Sequence, residues 1–287
     1  MNTSTSIGKY FVLSLLGLGM ALSSCKKEEE EATGNEPAAP SFVHVEQQVP
    51  IMYKNTGENC GPCGSWGWDL YSDVSHTNEG KIFTCANYSS GYSTGYFRGQ
   101  ELNSGDPVAQ AMQNNFGSSG KPGFFVNGTL KTISPIYISV YTDTINNAIT
   151  RGLNAPVQAS VAMLPVTWDG DKLTVKAEIK LYENLSGEYY MAAYIVEDKA
   201  KGRQSGHSSG SNNNNVEHHY VMRGSMTSDN AWGVKVIDGA VNSGEIFGKT
   251  FEATVPSSYN KDNITVGVVL WKKQGTYRFV NSVTNQK

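Results

Sequence analysis

The sequence predicts an α/β domain over residues 42–153 followed by an all-β sandwich over residues 154–287. Three observations lead there. A Cys60-Gly61-Pro62-Cys63 run stands where a strand pattern hands over to a helix pattern. Asn127-Gly128 joins two apolar runs, a strong hairpin signal. Past residue 155 the apolar period changes from the helical spacing to two, with turn signals between the runs.

Composition sets the frame. Of 287 residues, 39% are hydrophobic and 17% charged, which suits a globular chain, and 30 glycines imply many loops. The net charge of −3 comes with no basic run in the body, so nucleic acid is excluded as a partner. No P-loop or dinucleotide motif is present, and no cofactor is expected.

Residues 1–24 read as a targeting segment. Lys9 supplies the positive start, and the apolar run from Phe11 to Leu22 is shorter than a spanning helix needs. Leu22-Ser23-Ser24-Cys25 resembles the bacterial lipobox, which implies an acylated Cys25 and a lipid anchor in the envelope. The alternative is an ordinary secretory signal with an incidental cysteine. Residues 25–41 form a charged, Pro-containing tether, with Glu28 to Glu31 as an acidic block. That block resembles the export signal of surface-exposed lipoproteins; as a plain charge run it only solvates the linker.

In the α/β part, Val49, Ile51 and Tyr53 alternate as a strand over residues 48–53, and residues 55–59 have turn chemistry. After the cysteine pair, Trp66, Leu70 and Val74 mark one helix face. Asn59 is the expected N-cap. A Cys60 thiolate at a helix start meets the positive end of the helix dipole, and only the thiolate attacks a disulfide. Residues 81–88 read as a strand containing Cys85, taken as a small buried hydrophobe. Asp106-Pro107 opens a second helix with Val108, Ala111, Met112 and Phe116 inward. Lys121-Pro122 precedes the hairpin, and residues 138–153 form the last helix, with Val140, Ile145 and Ile149 apolar.

This order of elements resembles the thioredoxin fold, and Cys60-Gly61-Pro62-Cys63 is thioredoxin's own tetrapeptide. The resemblance implies that Cys60 attacks, that Cys63 resolves, and that Pro122, after Lys121, is the cis-proline shaping the substrate groove. Lys54 stands where that family has a buried carboxylate for proton transfer, and Asn59 where it has an aromatic residue. Lys54 shuttles protons only if burial depresses its pKa; otherwise it points to solvent. Glu58 is the other proton-transfer candidate, although its loop position argues against burial. The whole layout resembles the 28-kilodalton outer-membrane-protein-related lipoproteins through Thr56-Gly57-Glu58-Asn59-Cys60, Cys63 and Val196-Glu197-Asp198.

In the β part, Leu173, Val175, Ala177, Ile179 and Leu181 alternate with polar residues after an Asp169-Gly170 turn. Strands over residues 157–163, 189–196, 219–222, 251–255 and 264–271 complete an Ig-like or fibronectin-like sandwich. His218 and His219 are adjacent, so on a strand they face opposite ways and cannot share a metal. A zinc site from Cys60, Cys63, His76 and Cys85 lacks a second Cys pair, and no metal site is expected. These readings predict a lipid-anchored thiol–disulfide oxidoreductase at the outer membrane, on its periplasmic face or the cell surface. Protein dithiols or disulfides are its expected partners, with the β part for binding or positioning. A non-enzymatic surface receptor or adhesin is the alternative.

Overall fold

The computed structural model describes residues 40–117, 120–131, 138–210 and 214–287. The targeting segment, Cys25 and the acidic block lie outside them. The chain forms β1 (Ile51–Thr56), α1 (Gly61–Gly64), α2 (Trp66–Thr77), β2 (Phe83–Tyr88), α3 (Pro107–Phe116), β3 (Gly123–Val126), β4 (Thr129–Lys131) and α4 (Ile138–Leu153). There follow β5 (Ala159–Met163), β6 (Thr167–Asp169), β7 (Lys172–Leu181), β8 (Glu188–Glu197), β9 (Ala200–Gly202), β10 (Val216–His218) and β11 (Val221–Ser225). The last strands are β12 (Val234–Asp238), β13 (Ile246–Thr254), β14 (Ile264–Gln274) and β15 (Thr276–Thr284).

This architecture corrects the predicted fold class. An α/β thioredoxin-like domain followed by a self-contained Ig-like sandwich is not what forms. Strands dominate the described residues, and nine of them make one sheet in the order β15-β14-β8-β11-β2-β1-β3-β4, with β12 also on β8. The join lies between β11 and β2, which run parallel with Val221 opposite Ala86. Ala86 N–H donates to Tyr220 O at 2.7 Å. Apolar alternation shows which side chains are buried, but an open strand edge accepts any partner strand, and the pairing is set by the rest of the fold. Here the edge of β2 is closed by the C-terminal half.

The register assigns two faces to the sheet. On one, Met52, Phe124 and Val221 meet Leu70, Val74, Ile145 and Ile149 of α2 and α4. Further along that face, Met191, Ala193 and Ile195 of β8 and Val266 and Val268 of β14 meet a four-stranded sheet of β5, β6, β7 and β13. On the other face, Tyr53, Cys85, Ala192, Tyr194 and Trp271 pack with Val108 and Met112 of α3. β8 is therefore buried on both sides, which explains its near-continuous apolar run.

Several boundaries differ from the sequence reading. β1 starts at Ile51 and extends through Asn55 and Thr56, the expected turn residues, because all six of its positions are buried beside β2 and β3. The cysteine helix is a separate single turn, broken from α2 at Ser65. Val140 is exposed, although its apolar character pointed inward. The Asn127-Gly128 hairpin forms as expected, with both residues at positive φ.

Candidate functional site

Cys60 and Cys63 form a disulfide with Cα atoms 5.2 Å apart. Cys60, not Asn59, is the N-cap of α1, and its Sγ accepts the Cys63 N–H at 3.3 Å. Pro62 sits in the first turn, where its missing N–H has no helical partner to lose. The Lys121–Pro122 bond is cis. Pro122 packs on the start of α2 so closely that a Cβ at Gly67 would fall 2.4 Å from its Cγ. Lys121 extends over the Tyr92 ring at 4.6 Å, and partial burial lowers its pKa.

The pair is covered. Cys60 is 5% exposed and Cys63 fully buried. The cover is a segment of the C-terminal half that the sequence does not connect with the cysteines. Gln204 is fully buried, and its Nε2 lies 3.1 Å from the carbonyls of both Gly57 and Cys60. Ser205 N–H donates to Glu58 O at 2.8 Å. Two glycines make this approach possible. A Cβ on Gly64 would stand 2.1 Å from Ser205 O, and one on Gly206, at φ +77, would stand 2.2 Å from Gly61 O. The His207 ring meets Trp68 of α2 edge-on at 4.6 Å. No local pattern in residues 203–207 points to the cysteines, since the contact spans about half the chain.

The two proton-transfer candidates part company. Lys54 is 2% exposed, and burial lowers its pKa to about 7. Its ammonium lies over the rings of Tyr71 at 4.3 Å and Trp68 at 5.5 Å. Glu58, expected to be open to solvent, is instead buried. Its carboxylate accepts the Thr94 backbone N–H at 2.6 Å and hydroxyl at 2.8 Å, a bracing role for the cysteine loop. Cys85 is fully buried in the α3-side core, where burial raises its pKa.

A second polar cluster lies where β8 and β11 meet. Arg223 Nε donates to Glu197 Oε2 at 2.7 Å, and Nη1 to Tyr96 O at 2.6 Å. The guanidinium is sandwiched by Tyr96 at 4.1 Å and Tyr259 at 4.3 Å. Asp198 accepts from His219 Nδ1 at 2.7 Å. The Val196-Glu197-Asp198 run thus supplies two acids to buried or half-buried partners. His218 is fully buried with Tyr88 Oη at 2.5 Å, and burial pushes its pKa down to about 3.

The described residues contain no helix long and apolar enough to cross a membrane. HBP35 of Porphyromonas gingivalis is similar in fold, with a TM-score of 0.66 and 14% identity over 85% of this chain and 76% of that one. Two others align too loosely to carry an argument. The sporulation control protein Spo0M from Bacillus subtilis has a TM-score of 0.27, at 16% identity over 45% of this chain and 48% of its own. β-Glucosidase 3B from Thermotoga neapolitana, in complex with glucose, has 0.25, at 12% identity over 46% of this chain and 16% of its own. No curated protein sequence matches the chain. Residues 109–287, more than half of the chain, match the family model of the outer membrane protein Omp28, and the protein is a member of that outer-membrane family.

Proposed function

We propose that this outer-membrane protein exchanges thiols and disulfides with protein partners through Cys60 and Cys63. The observation that carries the reading is a disulfide at a helix start whose Cys60 Sγ already accepts a backbone N–H. That hydrogen bond and the helix end favour a thiolate on Cys60. From the disulfide form, a partner thiolate attacks Cys60 Sγ, the S–S bond breaks, and Cys63 leaves as thiolate. A second partner thiolate then attacks the partner sulfur, releasing Cys60. The partner is oxidised to a disulfide and the pair is reduced to two thiols; the reverse sequence reduces a partner disulfide. Lys54, on the strand leading into the cysteine loop, carries the proton in this reading, because an amine near pKa 7 both takes and gives protons at neutral pH. Pro122 and Lys121 border the approach.

Exchange requires residues 203–207 to draw aside, since Cys60 is nearly closed off. That burial favours a second reading, in which the disulfide is a structural staple in a non-enzymatic surface receptor. Trapping separates the two. In Cys63→Ser, the Cys60 thiolate has no resolving partner, so mixed disulfides accumulate on non-reducing gels of envelope extracts. They vanish when Cys60→Ser is added and persist with Cys85→Ser. Absence of adducts, with only a lower melting temperature, makes the pair a staple. We further propose that acylation of Cys25 provides the anchor; release of a soluble Cys25→Ser protein supports it, and normal membrane retention refutes it.

A further inference from the structure

Beside the cysteine site, α2, β1 and the turn after β10 enclose a cavity of about 40 Å3. Its lining includes Lys54, Trp68, Tyr71, Ser75 and Tyr220. Lys54 is 2% exposed yet makes no hydrogen bond or ion pair with the described residues, only the ring contacts with Tyr71 and Trp68. The hydroxyls of Tyr71 and Ser75 are also buried without a partner. Three groups that can donate, one of them cationic when protonated, line one cavity, and no side chain among the described residues hydrogen-bonds to them. Native interiors satisfy the large majority of such groups, and an unpaired buried cation is the costliest case.

The neighbouring side chains do not supply the acceptor. His76 Nδ1 is engaged by Ser72 O at 2.9 Å, and His219 Nδ1 by Asp198. Glu79 lines the cavity from the exposed turn after α2 and makes no ion pair with Lys54. Tyr88 also lines it and is bonded to His218, which packs edge-on against Trp68. Water filling the cavity hydrates the amine but supplies no counter-charge to a protonated Lys54. The volume holds roughly three waters, the size of a carboxylate group with a short carbon stem.

We propose that this cavity binds a small organic carboxylate, whose charge pairs with Lys54 and whose carbon stem lies among Trp68, Tyr71 and Tyr220. The two carboxylate oxygens provide the acceptors that the amine and the hydroxyls lack. Burial leaves Lys54 largely neutral in the empty protein above about pH 7, so an anion must draw a proton onto it as it binds. This site shares Lys54 with the redox reading but does not need the cysteines, and carboxylate binding is read without any thiol chemistry, so the two can fail separately.

The test is calorimetry on the full chain in detergent at about pH 8, with sodium acetate and sodium butyrate in two buffers of different ionisation enthalpy. The expected result is saturable binding with net proton uptake, and neutral acetamide binding at least about tenfold more weakly. Lys54→Met should abolish the uptake and the binding, and Ser75→Ala should weaken binding severalfold. Should Lys54→Met fail to fold, proton uptake by the native chain and the acetamide comparison decide. No saturation with either acid, acetamide or inorganic phosphate binding as tightly, or binding without proton uptake overturns the proposal and leaves a water-filled cavity beside a neutral amine.

Discussion

Between β7, β8, β13 and β14 the interior is almost wholly apolar. Leu173, Val175, Ile179, Met191 and Val268 interleave there with few polar atoms. Along the line where residues 197–225 meet the first half, the interior is as well buried but polar. It holds Glu197, Gln204, His218 and Arg223, each at most 2% exposed. The apolar region needs only shape and volume, so each contact adds a little and neighbours can substitute. The polar seam needs partners in fixed directions, and a missing partner leaves a desolvated group behind. A sandwich core therefore stabilises by area. The seam selects one way for the two halves to meet and places Gln204 over the disulfide.

The largest predicted effect strikes the seam. Arg223→Ala strands Glu197 in the interior and should cost about 3–5 kcal/mol in urea unfolding. Replacing both, as Arg223→Met with Glu197→Leu, should recover most of that loss. If the double variant is no better than the single, the pair is not acting as a matched unit.

Gln204→Ala removes the donor facing the cysteine-loop carbonyls, with an expected loss of about 1–3 kcal/mol. It should also speed reduction of the Cys60–Cys63 disulfide by dithiothreitol. An unchanged rate would mean that residues 203–207 do not limit access.

The pH profile sharpens the contrast further, because burial makes both bases titrate well below exposed groups of the same type. Lys54 is neutral in the folded protein above about pH 7, while in the unfolded chain it stays protonated to about pH 10.5. The unfolded state binds more protons in that interval, so stability rises with pH, by an amount on the order of 2 kcal/mol between about pH 7 and 8.5. Lys54→Met should flatten this rise. His218 stays neutral in the fold down to about pH 3, whereas the unfolded chain protonates it near pH 6.5, so its contribution is lost as pH falls through that range. Denaturant titrations across pH check that stability rises with pH in both windows.

The smallest effect belongs to the apolar core. Ile179→Val deletes one buried methylene and should cost about 0.5–1.5 kcal/mol, with no change in disulfide reactivity. A loss as large as that of Arg223→Ala would erase the distinction between the two regions.

Much of the local structure was legible. The alternation of Leu173 to Leu181 named the buried face of β7 residue by residue, and the Asn127-Gly128 pair marked its hairpin. The helix following the cysteines kept Leu70 and Val74 inward. These signals survive because they rest on periods and turn preferences within about ten residues. The burial of Glu58 is not legible locally because it depends on Thr94, nor is that of Lys54, whose cover comes from α2 and the turn after β10.

By itself the sequence determined which residues alternate, where the chain turns, and that a cysteine pair opens a helix. Only the tertiary structure decided that β11 closes the edge of β2, that Gln204 and Ser205 cover the disulfide, and that Lys54 is buried without a counter-charge. The physical reason is range: backbone periodicity is a local property, whereas strand-edge pairing and the satisfaction of buried polar groups depend on partners more than a hundred residues away.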